Sequence, residues 1–476
     1  ENSVYSVYEP DFDGRSGNWG HFPANRFLQG AYTEKITADI GTDLCCRSAS
    51  GVYGFSGKCR IQSVPVFQIL GRGVSIMRRE IMTASAFIIP LALLSVLSAV
   101  MPQKAFSEEE NRYLAQKPVF TIESFKDGKF GNEYETWLSD QFPFRKTFVA
   151  AKTNADRLIL REDVNDVYFG KDHYYIEKTD PENLLTPQLY ENLDYLSDAA
   201  AQFNSMVGAE HVKIMLVPSA SQILKDKLPP FAAPADQSEA ARIARDKIRE
   251  KTGEEGNFLD IEGTLLKAWE ECRKIASEYQ AGEEQLYYKT DHHWTTLGAW
   301  YAYRLYGREA GFEPWGRDRF TEIVVSDNFQ GTIQSKLGVA LVPDTITLFI
   351  PGSPTSVNVY YDGLPKAYDT LYNKKALEKK DQYSVFLDGN HGLTKIVNNM
   401  AGVEAKGKRL LIIKDSYAHS FAPFVINHFE EVYMIDLRYF NMKPAEFAKS
   451  REITDILVLY QIPGFAKDGN LFKMVR

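Results

Sequence analysis

Two short stretches of this chain carry the residue types that acyl-transfer chemistry needs. In LYYKTDHHWTTLGAWYAYRLYG (286–307), two of the eight histidines stand side by side in the tetrad Asp291-His292-His293-Trp294. If the backbone there is extended, side chains two apart share a face, so Asp291 and His293 point one way and His292 the other. A carboxylate aimed at an imidazole fixes its tautomer and stabilises the imidazolium, which is what a general base requires. In RLLIIKDSYAHSF (409–421), an apolar strand runs into Lys414-Asp415-Ser416, and a helical pattern begins at once. A serine on such a turn projects its hydroxyl above the sheet, close to helix N-terminal amides that could bind an oxyanion. The plainer reading is that Asp415 or Ser416 caps the helix. Asp291 and His293 tip the balance toward Ser416 as nucleophile, His293 as base and Asp291 as its orienting partner. A third stretch, FLDGNH (386–391), offers Gly389 for close backbone approach and Asn390 as an amide donor to developing negative charge. An ordinary Asp-Gly-Asn turn explains that stretch better on sequence alone.

The surrounding pattern predicts what holds these pieces. Leu189, Leu193, Leu196, Ala200 and Phe203 fall at helical spacing, and VKIMLVPS (212–219) follows as a buried strand. Residues 236–250 and 263–279 read as helices, with NFLDI (257–261) between them as a strand. LYY (286–288) reads as a short strand and TTLGAWYAYRLY as a helix capped by Thr295 or Thr296. RLLIIKDS, EVYMIDLR (431–438) and DILVLYQ (455–461) are β-rich and separated by helix-like segments. Strands alternating with helices predict an α/β fold with a mostly parallel sheet covered on both faces, which gathers strand ends into one site. EIVVS, ITLFI, SVNVYY and YSVFLD suggest a β-rich insertion around 321–390.

The chain has 476 residues with a net charge of −8, which argues against nucleic acid or anionic lipid as the main partner. Cys45, Cys46 and Cys59 lie near the start and leave Cys272 alone, so the main body cannot hold a disulfide. Residues 1–76 carry 10 of the 32 glycines and little periodicity, and are expected to be an extension packed poorly against the rest. After Met77-Arg78-Arg79-Glu80, the run Ile81 to Met101 has no charged residue, about the length of a bilayer-crossing helix. Met77 resembles the start of an exported chain. The preceding arginines keep the N-terminal side in the cytoplasm and export residues 102–476. The length of the run favours an uncleaved signal anchor over a cleaved signal peptide, and a buried core helix is the bland alternative. The predicted organisation is an extension (1–76), an anchor (77–101), a helical juxtamembrane connector (102–165) and a catalytic domain (166–476).

TDHHWTTLGAWYAY resembles the DHHW proteins of Gram-positive bacteria, a branch related to the alginate O-acetylation proteins of the SGNH hydrolase-like superfamily. FSEEENRYLAQKP, DQFPFR (140–145), FQGT (329–332) and KDSYAHSF support the match, which covers about residues 77–476. The resemblance implies a flavodoxin-like SGNH-type sandwich with Asp-x-His ahead of the serine. It assigns Ser416, His293 and Asp291 the three roles above, and likens Gly389 and Asn390 to an oxyanion-binding block. Lys414 stands where the superfamily has glycine, and its side chain is expected to crowd that block.

Together these observations lead to an extracytoplasmic, single-pass serine esterase or O-acyltransferase acting on a cell-surface polysaccharide. A membrane-bound acyl donor protein is a candidate partner, and no cofactor or metal is expected. One alternative is a metal-dependent hydrolase using Asp291, His292, His293, Asp415 and His419, though adjacent histidines usually point apart. The other is a polysaccharide-binding protein on a degenerate hydrolase fold.

Overall fold

The computed structural model describes residues 66–107, 110 and 112–475. The chain divides into two units, Glu1–Phe87 and Ile88–Arg476. The expectation of a loosely packed extension therefore falls mostly outside the described residues. Residues 66–76, however, are helical: they open helix α1 (Val66–Val100), which starts well before the charge-free run. Its stretch Arg78–Val100 is long and apolar enough to cross a membrane, and side chains such as Phe87, Ile88, Ile89 and Leu93 are exposed.

Past α1 come a short helix (Ile122–Lys126), α2 (Lys129–Asp140) and α3 (Arg145–Leu158). The body is built on a six-stranded sheet. Its longer helices are α4 (Pro187–Val207), α5 (Gln237–Thr252), α6 (Ile261–Tyr279), α7 (Thr296–Glu309), α8 (Thr332–Leu337), α9 (Ala418–Val425), α10 (Pro444–Ser450) and α11 (Ile462–Lys467). The sheet strands are β1 (Val212–Val217), β4 (Val357–Tyr361), β5 (Leu393–Asn398), β6 (Arg409–Lys414), β7 (Glu431–Ile435) and β8 (Asp455–Gln461); β2 (Phe320–Phe329) and β3 (Asp344–Pro351) pair separately as a hairpin.

The sheet order is β1-β8-β6-β7-β5-β4. The first four strands are mutually parallel; β5 runs antiparallel to both its neighbours, so β4 at the edge runs in the direction of the first four. Period-2 burial explains why the parallel strands read as continuous apolar runs. Leu410 and Ile412 of β6 join one core with α6, α7 and α9; Leu411 and Ile413 join the opposite core with α4, α5, α10 and α11.

Three expectations need correction. LYY is no sheet strand: Tyr287 makes only an isolated antiparallel bridge to Trp294, so the tetrad caps a tight loop rather than a strand end. NFLDI likewise makes only one bridge, Phe258 to Ile214. In the 321–390 region, SVNVYY is an edge strand of the main sheet, and YSVFLD is a 3-10 turn (Gln382–Val385) despite its β-favouring composition. Tertiary packing overrides local propensity in all three.

Candidate active site

Strand β6 delivers the serine. Asp415 accepts the Tyr417 amide at 2.9 Å and the Gln461 amide at 2.7 Å, so it caps the turn and ties it to the end of β8. That leaves Ser416 free of capping duty. The amides of Ala418 and His419 donate to the carbonyls of Asp415 and Ser416, whereas the Ser416 amide has no acceptor among the described residues. It is therefore an available donor beside the hydroxyl.

The tetrad loop meets this turn. The Thr295 amide donates to Leu286 and the Tyr288 amide to His293, closing the loop, and the Thr295 hydroxyl caps α7. Buried Asp344 on β3 accepts the Lys289 amide, the Thr290 amide and the Thr290 hydroxyl, at 2.8, 2.7 and 2.7 Å. From the far side, the Tyr417 hydroxyl donates to the His292 carbonyl and itself accepts from Gln461.

Within this frame, His293 Nε2 lies 2.7 Å from Ser416 Oγ and His293 Nδ1 lies 2.5 Å from Asp291 Oδ1. His293 and Asp291 are 5% and 3% exposed, so the contact between them is buried and strengthened by it, while Ser416 remains partly exposed. The other carboxylate oxygen, Asp291 Oδ2, accepts the Thr332 amide at 2.8 Å and the Thr332 hydroxyl at 3.0 Å. Gly331 makes that approach feasible: a β-carbon there would lie 2.1 Å from Asp291 Oδ2. Burial alone would raise the Asp291 carboxyl, but His293, His292 and these hydrogen bonds hold it well below the usual carboxylate range. Burial, reinforced by His292 and opposed by Asp291, pushes the His293 imidazole down to about 4.

His292 does not point away as the extended-loop argument required. Its ring centroid is 3.9 Å from that of His293, and its Nδ1 donates to Thr332 Oγ1 at 2.6 Å. The loop is a bend, where period-2 alternation does not apply. Consequently Asp291, His292 and His293 bring their ligand atoms within 4.8 Å of one another. Asp415 and His419 are not part of that cluster: Asp415 caps the turn, and His419 Nε2 accepts from Lys414 Nζ at 2.8 Å.

Lys414 is fully buried, with Nζ 3.4 Å from Asp436 Oδ2. Its ammonium is directed to Asp436 and His419. Gly389 (φ +81°) and exposed Asn390 sit in a turn, and Asn390 Oδ1 accepts from Arg438 at 3.2 Å. Among the described residues, neither is hydrogen-bonded to Ser416 or His293.

No motif marks Tyr383, whose ring stacks on His293 at 3.8 Å and 10°. Its hydroxyl donates toward the Ser416 carbonyl at 3.3 Å and lies 3.2 Å from Ser420 Oγ. Thr332 and Gly331 were visible only as part of FQGT, and Asp344 not at all. Thr332 also borders a cleft of about 900 Å³, lined by Gln330, Gln382, Arg145 and Lys336 among others.

The DHHW protein family matches residues 268–435, a stretch that holds both the tetrad and the serine turn, and the resemblance read from the motifs holds there. No curated protein matches the chain significantly. Among solved structures, a DHHW family protein from Eubacterium siraeum is 21% identical with a TM-score of 0.48, covering 65% of this chain and 95% of its own. Bacillus cereus PatB1 is 19% identical with a TM-score of 0.49, covering 64% and 97%. The O-acetyltransferase domain of Pseudomonas putida AlgJ is 10% identical with a TM-score of 0.36, covering 65% and 99%.

Proposed function

We propose that this chain is a membrane-anchored serine O-acyltransferase or esterase with an SGNH-type fold, acting outside the cytoplasm on acyl esters of a cell-surface polysaccharide. The observation that carries this reading is the unbroken line of hydrogen bonds from Ser416 Oγ through His293 to Asp291. Neutral His293 donates Nδ1–H to Asp291 and accepts the serine proton at Nε2. Ser416 Oγ attacks the acyl carbon, and the oxyanion formed takes the Ser416 amide proton as a hydrogen bond. As the ester C–O bond breaks, imidazolium His293 returns the proton to the departing oxygen. Water or a sugar hydroxyl then attacks the acyl-enzyme and gives its proton to His293, which passes it to Ser416 Oγ as the acyl–Oγ bond breaks.

Incubation of the full chain with a fluorophosphonate probe tests this. Labelling at Ser416, with loss of ester turnover in Ser416→Ala, is the expected result. An unlabelled protein with no turnover would favour a binding protein instead. The clustering of Asp291, His292 and His293 supports a metal-dependent hydrolase as a second reading. Activity that chelator removes and a divalent metal restores would favour it.

A further inference from the structure

Helix α2 buries none of its 12 residues. Phe130, Tyr134, Trp137 and Leu138 nevertheless fall within about 100° of its circumference, an apolar stripe of the kind that normally meets a core. The stripe continues into the preceding segment. Phe120 lies 5.1 Å from Phe130 and 5.8 Å from Phe125, Phe130 is 5.7 Å from Tyr134, and Tyr134 is 5.2 Å from Trp137. Val119, Phe120, Ile122 and Phe125 are 81%, 58%, 69% and 64% exposed. A short helix gains most of its stability from burying such a face, and a contiguous exposed apolar surface marks a contact.

The route of the chain identifies the contact. Helix α1 ends at Val100. Four residues on, the Lys104 amide donates to Gln141 Oε1 at 3.0 Å, and Gln141 Nε2 donates back to the Lys104 carbonyl at 2.9 Å. Four extended residues reach about 14 Å. Together with the Gln141 side chain, these residues tether the C-terminal end of α2 near the end of the apolar span. Phenylalanine aside, Tyr and Trp are the side chains that settle at the membrane–water boundary.

We propose that α2 and residues 119–125 lie in the headgroup region of the bilayer crossed by α1, with their aromatic stripe immersed. The proposal rests on reading α1 as a membrane span. The association is apolar: Glu133, Glu135 and Asp140 share α2 with only Lys129, so anionic lipid has little to attract. Docking of this kind fixes how the body stands above the surface.

The test uses the full chain in nanodiscs. Cys45, Cys46 and Cys59 are replaced by serine, while buried Cys272, its thiol pushed up to about 11 by burial, stays. Single cysteines at Phe120, Phe125 or Leu138 carry an environment-sensitive fluorophore. Leu93→Cys reports the span, and Tyr279→Cys, at a position 75% exposed, reports water. The three test sites and Leu93 should be quenched by lipid-borne nitroxide, equally in phosphatidylcholine with or without phosphatidylglycerol, while Tyr279→Cys is not. Water-like test sites beside a lipid-quenched Leu93→Cys would overturn the docking and leave the span standing. A water-like Leu93→Cys would overturn both. Test sites shielded from water but untouched by lipid nitroxide would mean that protein covers the stripe, and would overturn the lipid assignment.

Discussion

The imidazole of His293 lies flat against the phenol of Tyr383, with centroids 3.8 Å apart and ring planes 10° from parallel. The tilted ring of His292 sits 3.9 Å from the same imidazole. Once His293 takes the serine proton it becomes a cation, and a tyrosine face stabilises a cation by about 0.5–2 kcal/mol. Tyr383→Leu should therefore lower kcat roughly two- to thirtyfold with little change in KM. Tyr383→Phe, which keeps the ring, should lose less. Equal losses in the two variants would show that the hydroxyl bonds, not the stack, matter.

Substitutions along the hydrogen-bond line should separate the two histidines. His293→Ala and Asp291→Asn should each reduce kcat about 10³- to 10⁴-fold, since the proton has nowhere to go or the tautomer is wrong. His292→Ala should cost about tenfold or less, because His292 hydrogen-bonds Thr332 and makes no bond to Ser416. Steady-state kinetics on one acyl ester would decide this, and comparable losses at the two histidines would sink the assignment.

Acid sensitivity follows from burial. A base must be neutral to work, and His293 is pushed down to about 4, so kcat/KM should stay level from neutrality to about pH 5 and fall only below it. His292→Ala removes a neighbour that disfavours the imidazolium, so the acid limb should move up. Stability follows the same sign: the unfolded chain protonates first, so folding stability is full above the ordinary histidine value and is lost as pH falls toward 4. An acid limb at or above 6.5 in the unmodified protein would contradict the buried geometry.

Gly331 makes a sharper test of positioning. Its missing side chain is the space that Asp291 occupies, with Asp291 Cβ 2.3 Å from where a β-carbon would be. Gly331→Ala should displace the carboxylate and reduce kcat about as much as Asp291→Asn, while far-UV circular dichroism stays unchanged. Full activity in this variant would mean that Asp291 does not need its place.

How far the sequence could be read depended on whether a contact is local. Ser416 and His293 were legible because reactive residue types stood beside recognisable elements, and the parallel strands because burial on both faces leaves uninterrupted apolar runs. Tyr383 was not legible, since its neighbours YSVF look like strand and its role arises only when the 3-10 turn folds over His293. His292 was misplaced because alternation was assumed for a loop that bends. Strand β5 went unnoticed: LTKIVN alternates weakly, as an antiparallel strand near a sheet edge does.

Lys414 should prove to be a scaffold residue. Its buried ammonium faces Asp436, which also pairs with Arg438 at 2.6 Å, and Lys414→Met would leave that carboxylate short of one partner. Losing one member of a buried charge cluster costs on the order of 3 kcal/mol. A clear fall in melting temperature is expected. Lys414→Gly should likewise destabilise without raising turnover; a gain in turnover would revive the idea of a crowded oxyanion site.

The bond from the Gln461 amide to Asp415 has a bearing on timing. Strand β6, which carries the serine, is flanked by β8, so the turn at Ser416 takes its shape only after residues 455–461 have arrived. His293 waits 123 positions upstream for the same event. Contacts this distant in sequence close late in folding. A polypeptide in which residues 455–461 have not yet joined the sheet therefore carries Ser416 and His293 apart.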